Sequence, residues 1–166
     1  MERIVPPREQ IVAGLLAGIA GGIVMQLFYF LTMLPSGQAV RIFLGTFAFI
    51  TSVLLGPSAL GNPAAVPLGV VLHFCVSIGW ALGYVYLTRS QPQLITHPWI
   101  SGAVFGLVVD MFMNLVLLAA GMYHTLPSRE DLTIALLAHV VFYGMTVALV
   151  ASRLLRASAA RSRAAV

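Results

Sequence analysis

Four long apolar runs constrain this chain more than any other feature. They cover about residues 11–34, 65–88, 98–121 and 131–154, each with at most two charged side chains. A helix of roughly 20 apolar residues crosses a ~30 Å hydrocarbon core. Within lipid the helix also satisfies its own backbone donors and acceptors, which an isolated extended segment does not. Apolar residues make up 60% of the 166 positions and charged residues 8%, which leaves little material for a soluble domain. The expected fold is an all-α membrane protein, a single integral domain over 1–166 with four transmembrane helices.

The first run has basic residues ahead of it (Arg3, Arg8) and a small-residue stretch, Gly37-Gln38-Ala39, behind it. A signal peptide has a shorter apolar core of ~7–15 residues, so the run is read as an uncleaved span.

Orientation rests on arginine, because the chain has no lysine. With four spans, Arg3, Arg8, Arg89, Arg153, Arg156, Arg161 and Arg163 share one side, and Arg41 and Arg129 take the other. Positive charge favours the cytoplasm, so both termini are expected there. The basic stretch 155–166 is read as a tail resting on anionic headgroups. The lipid bilayer is thus one partner, and nothing calls for nucleic acid. Cys75 is the sole cysteine, so no disulfide forms within the chain.

A fifth apolar run, 38–56, would place the arginine-rich end outside if it crossed. It carries Gln38, Arg41, Gly45, Ser52 and Gly56 along a thin polar or small stripe. Gly56-Pro57 and Gly61-Asn62-Pro63 close it off. It is read as an outer-face interfacial or re-entrant helix.

The spans echo one another. Gly14, Gly18, Gly22 and Gln26 fall four apart in the first, and Gly102, Gly106, Asp110 and Asn114 do so 88 positions later. Small residues at this spacing let helix backbones approach in lipid. The second and fourth spans each carry an early histidine, His73 or His139, and a glycine five or six residues on. Each then ends in an arginine, Arg89 or Arg153. A duplicated helical hairpin with a two-fold axis along the membrane normal is expected. Gly79 and Gly83 join Gly14, Gly18, Gly22, Gly102 and Gly106 as expected packing positions.

Asp110 is the only acid deep inside a run. A carboxylate there costs at least ~2.5–3.5 kcal/mol on insertion scales, so it should face a protein partner. Counting helical rise from the outer ends puts Gln26, His73, Asn114 and His139 at one depth, with Asp110, Ser77 and Tyr143 about a turn further in. A buried polar layer of Gln26, His73, Ser77, Asp110, Asn114, His139 and Tyr143 follows.

Several uses of that layer are open. The plainest is interhelical glue in a non-enzymatic accessory or interaction protein, a homo-oligomer or a subunit docked to other membrane proteins. A small proton-coupled carrier or channel would use Asp110 and the histidines as a relay. Haem held by His73 and His139 is a third use, and a metal at His73, His139 and Asp110 a variant of it. Catalysis is not expected: Ser77 beside His73 lacks a nucleophile elbow, and no phosphate-binding glycine loop is present.

Trp80, Tyr84, Tyr86 and Trp99 are read as interfacial anchors, and Met111 and Met113 as packing residues. Pro98 suits a helix start, and Ser128 with Asp131 reads as a capping box. His124 is available to an outer-face site.

His73 with Ser77, Gly79, Gly83 and Tyr84 resembles the pattern of YagU-like bacterial inner-membrane proteins. The Gly102/Gly106 helix, the Pro127/Glu130 loop and the stretch from His139 to Arg153 are similar too. The resemblance spans about 65–155. It implies a multi-span bacterial inner-membrane protein and carries over no catalytic residue.

Overall fold

The computed structural model describes residues 7–122 and 127–164, and among them every regular element is helical. Four helices are long and apolar enough to cross a membrane. They are α1 (Pro7–Met33), α3 (Ala65–Leu87), α5 (Pro98–Ala119) and the helical stretch Arg129–Ala164. The last comprises α6 (Arg129–Leu137), a π-helical segment (Ala138–Gly144) and α7 (Met145–Ala164). His124 lies outside the described residues.

The helix starts follow local chemistry. Pro98 opens α5, where a missing N–H costs nothing. At α6, Ser128 Oγ accepts from Asp131 N, and the Asp131 carboxylate accepts from Ser128 N, the reciprocal cap expected from the sequence. At the far end the helix does not stop near 154. It runs on to Ala164 because Ala, Arg, Leu and Ser continue a helix and no Gly or Pro interrupts it. The segment read as a tail from 155 is, as far as Ala164, helix.

α2 (Ala39–Leu55) is a 17-residue apolar helix, shorter than the four spans. It packs across α1 and α3 at the end of the bundle opposite the arginine-rich one. Phe43 meets Phe30, Phe47 meets His73, and Thr51 Oγ1 donates to the Ala65 carbonyl at 2.6 Å. Gly69 makes this seat: a Cβ there would run into the Phe47 carbonyl.

α1 is the central helix, with 44% of its most apolar window buried against 22% for α5. One of its faces packs on α3. Here Gly14 lies against Leu82, Gly18 against Ile78, and Gly22 against Ser77 and His73. A second face packs on the π segment and α7, where Gly21 meets Val147 and Tyr143. The other hairpin is built alike, with Gly102 against Met145 and Gly106 against Val140. Close packing at Gly14, Gly18, Gly22, Gly102 and Gly106 is therefore as expected.

Two expectations are corrected. Gly79 and Gly83 pack against nothing: a Cβ on either meets no atom within 4 Å. Along α3 the residue that faces α1 is Ile78, while Gly144, five after His139, faces α5. Six residues and five differ by about 100° of helical rotation, so the two glycines point differently. The two-fold relation is also incomplete. α1 packs along the fourth span, but its counterpart pairing, α3 with α5, opens into a groove bridged by aromatic rings.

Those rings include two expected anchors. Trp80 is half-buried, edge-on to Phe105 and Phe112, and Tyr84 is fully buried. They fill the α3–α5 gap rather than an interface, because the diverging backbones leave room only large rings span. Tyr86 and Trp99 are exposed, as anchors would be.

Candidate functional site: the buried polar layer

All seven expected layer residues sit in the helices, and they resolve into two clusters joined by Tyr143. In the first, the Gln26 amide nitrogen lies 3.2 Å from His73 Nδ1, and His73 Nε2 lies 3.3 Å from the Gly22 carbonyl. A carbonyl only accepts, so Nε2 carries the hydrogen and Nδ1 takes the one offered by Gln26. Both ring nitrogens of His73 are engaged. One turn on, Ser77 Oγ donates to the Gly18 carbonyl at 2.7 Å. These bonds exist because Gly18 and Gly22 bring the α1 backbone within reach of α3 side chains.

In the second cluster, His139 Nδ1 stands 3.1 Å from Asp110 Oδ1 and 2.9 Å from the Ala135 carbonyl. Two acceptors face Nδ1, so here Nδ1 carries the hydrogen. Its direction favours the carbonyl, and Asp110 Oδ1 has no well-aligned hydrogen bond among the described residues. The contact is therefore electrostatic more than hydrogen-bonded. Asn114 Nδ2 donates back to the Asp110 carbonyl at 2.9 Å and to Oδ2 at 3.3 Å. Asp110 is 8% exposed, so the carboxylate is inside the bundle and not facing lipid.

Tyr143 reaches from the π segment to α3, its hydroxyl donating to the Ser77 carbonyl at 2.6 Å. One polar layer thus crosses all four spans. Of the two membrane histidines, His139 is the one in contact with Asp110.

The π segment positions the second cluster. Opening the helix to i→i+5 spacing over 138–144 rotates His139 and Tyr143 relative to a continuous α-helix. It coincides with close backbone packing against α5. A Cβ on Gly106 would meet the His139 carbonyl, and one on Gly144 would stand 2.6 Å from Gly106 Cα. No hydropathy pattern signals a π segment, which is why it was not foreseen. The sequence pointed to Gly144 only as an echo of Gly79.

Haem or metal ligation fits this geometry poorly. Binding at His73 requires breaking the bond to Gln26 or to Gly22. His139 keeps Nε2 free, but no group of three His, Cys, Asp or Glu converges among the described residues.

Sequence reasoning missed a network at the arginine-rich end. The Tyr84 hydroxyl, the Ser101 hydroxyl and the Leu94 carbonyl meet within 2.9 Å of one another. Arg89 donates to Gln10, and Arg156 to the Ile95 carbonyl, tying the 88–97 connection to α1 and α7. These contacts join residues up to 79 positions apart, and nothing local announces them.

No protein-family model, curated protein or solved structure matches this chain.

Proposed function

We propose that this chain is a non-enzymatic accessory protein of the bacterial inner membrane, of the YagU-like kind, with both termini cytoplasmic. It docks through one face of α3 onto a transmembrane helix of another subunit. The observation that carries this reading is an open small-residue stripe: Cys75, Gly79 and Gly83 fall four apart. Cys75 is exposed, and neither glycine has a neighbour. In this chain the other glycine lines of the spans are filled by a helix. A line of the same spacing left empty favours close approach by a further helix. The polar layer, by contrast, makes most of its hydrogen bonds within the chain, which suits glue.

Cys75 makes the test direct. Oxidative cross-linking in native membranes is expected to give a covalent dimer if the partner is a second copy. A heteromeric native mass is expected if it is another protein. Gly79→Leu should abolish either product while leaving the thermal unfolding of the protein unchanged. A monomeric mass in nanodiscs, with Cys75 freely labelled by maleimide, ends the proposal.

One observation favours a second reading, a small proton-coupled carrier. Buried Asp110 and part-buried His139 form an acid–base pair, and His139 Nε2 makes no hydrogen bond to a described residue. Proton flux into liposomes that is lost in Asp110→Asn, with folding intact, is the expected signature. Equal flux in both proteins removes it.

A further inference from the structure

A cavity of about 220 Å³ lies between the start of α1 and the last turns of α7, at the arginine-rich end of the bundle. Arg8, Glu9 and Val12 of α1 line one side, and Leu154, Ser158 and Arg161 of α7 the other. Two polar atoms here are left over. Glu9 Oε2 and Ser158 Oγ are both enclosed, and neither has a hydrogen-bond partner among the described residues. Ser158 is 1% exposed, and a buried hydroxyl without a partner is costly and calls for an explanation. Elsewhere in these helices Thr46, Ser52 and Thr133 turn back onto a carbonyl three or four residues earlier, as such side chains commonly do. Ser158 does not, and its hydroxyl is left for the cavity it lines.

Charge is arranged in the same unfinished way. Among the described residues this end carries Arg8, Arg89, Arg153, Arg156, Arg161 and Arg163 against the single acid Glu9. The contact of His139 with Asp110 is the one salt bridge among those residues, so Glu9 is paired with neither Arg8 nor Arg161. All three nevertheless line one small cavity. Opposite charges that face a common space without touching leave a gap, and a group carrying both signs fills it.

We infer that the cavity binds the phosphoethanolamine headgroup of a phospholipid. Arg8 and Arg161 hold the phosphate, Ser158 Oγ donates to a phosphate oxygen, and Glu9 Oε2 accepts from the primary ammonium. Hydrogen bonds between ionised partners of this kind are the strong ones. A purely anionic headgroup would be repelled by Glu9, and a trimethylammonium group has no N–H to offer Oε2. At about 30 Å³ per water the cavity equals roughly seven waters, room for a headgroup and not for an acyl chain. The chains have a place beside it. Val12 lines the cavity, is 46% exposed, and begins an exposed apolar line continued by Leu16, Ile19 and Ile23. From Val12 to Ile23 is roughly 16 Å at 1.5 Å per residue, about one leaflet of a ~30 Å core. Because Val12 belongs to both surfaces, a lipid uses the cavity and the line together, and a soluble zwitterion uses only the first.

The test uses the full chain in mild detergent, with native mass spectrometry against phosphatidylethanolamine, phosphatidylcholine and phosphatidylglycerol. The wild type should retain phosphatidylethanolamine over both of the others. Arg161→Gln should lower that retention about fivefold, the worth of one arginine near a headgroup. Glu9→Gln should remove the preference over phosphatidylglycerol, since it removes the charge that repels an anion and attracts the ammonium. Ser158→Ala separates binding from folding. Its hydroxyl has no partner among the described residues, so the melting curve without lipid should hold or rise while lipid retention falls. The site lies on α1 and α7, apart from Cys75, Gly79 and Gly83 on α3, so its failure leaves the docking proposal standing. Equal retention of the three lipids by the wild type overturns the assignment, as does phosphatidylglycerol retained best, which would make this a plain anion site. Unchanged retention in both Glu9→Gln and Ser158→Ala overturns it too. If free O-phosphoethanolamine displaces the lipid at equal concentration, the chains contribute nothing and the lipid assignment falls.

Discussion

Nδ1 of His139 lies 3.1 Å from Oδ1 of Asp110, yet the Ala135 carbonyl, at 2.9 Å, takes the better-aligned position. A membrane-embedded carboxylate is thus balanced by a ring that also braces its own helix. The two roles are separable by mutation. In a double-mutant cycle of Asp110→Asn and His139→Gln, the coupling energy is expected in the range ~0.6–1.7 kcal/mol, typical of polar pairs between membrane helices. Reversible unfolding in bicelles measures it. A coupling near zero would show that Asp110 is held by Asn114 instead.

Glycines that look alike in the sequence should respond oppositely to substitution. Gly106→Ala drives a methyl group into the His139 carbonyl, and overpacking of this kind costs about 1–3 kcal/mol. Gly79→Ala meets no neighbouring atom and removes a helix-disfavouring residue, so the bundle should be unchanged or slightly more stable. Melting temperatures of the two variants in the same detergent compare them directly. Equal losses would contradict the packing described.

The reciprocal cap at α6 predicts a local effect. Ser128→Ala removes the acceptor for Asp131 N, a change worth ~1 kcal/mol at a helix start. Faster amide hydrogen exchange should appear over Arg129–Leu137 and leave α1 and α3 untouched. Uniformly faster exchange would mean that the cap supports the whole bundle.

Seating of α2 depends on Gly69 and Thr51. Gly69→Ala should lift α2 from α3, because the new methyl group collides with the Phe47 carbonyl. Thr51→Val, nearly the same shape, loses only the hydrogen bond to Ala65, at about 1 kcal/mol. Protease nicking between α2 and α3 should rise sharply in the first variant and modestly in the second. Resistance in both would place α2's hold elsewhere, on the Phe30–Phe43 and Phe47–His73 ring contacts.

Much of this architecture is legible in one dimension. Apolar run length identifies the four spans, Ser128 and Asp131 announce their cap, and four-residue spacing marks Gly14, Gly18, Gly22, Gly102 and Gly106 as contact positions. Depth counting places Gln26 level with His73, and Asp110 within about a turn of Asn114 and His139. These succeed because hydropathy, capping and helical rise are local properties, fully present in neighbouring residues.

Partner choice is different. His139 rather than His73 receives Asp110 because the π segment turns it towards α5, and such a segment leaves no mark in hydropathy. Gly79 and Gly83 face outward because α1 meets α3 along Ile78 and Leu82, a rotation that one residue of offset, about 100°, decides. Trp80 and Tyr84 become gap fillers because α3 and α5 diverge, a relation between distant segments. The chain's composition and spacing make a four-span helical membrane protein with a polar layer unavoidable. Helix rotation and close backbone contact, which arise only when distant segments meet, select the pairs within that layer and the faces left open.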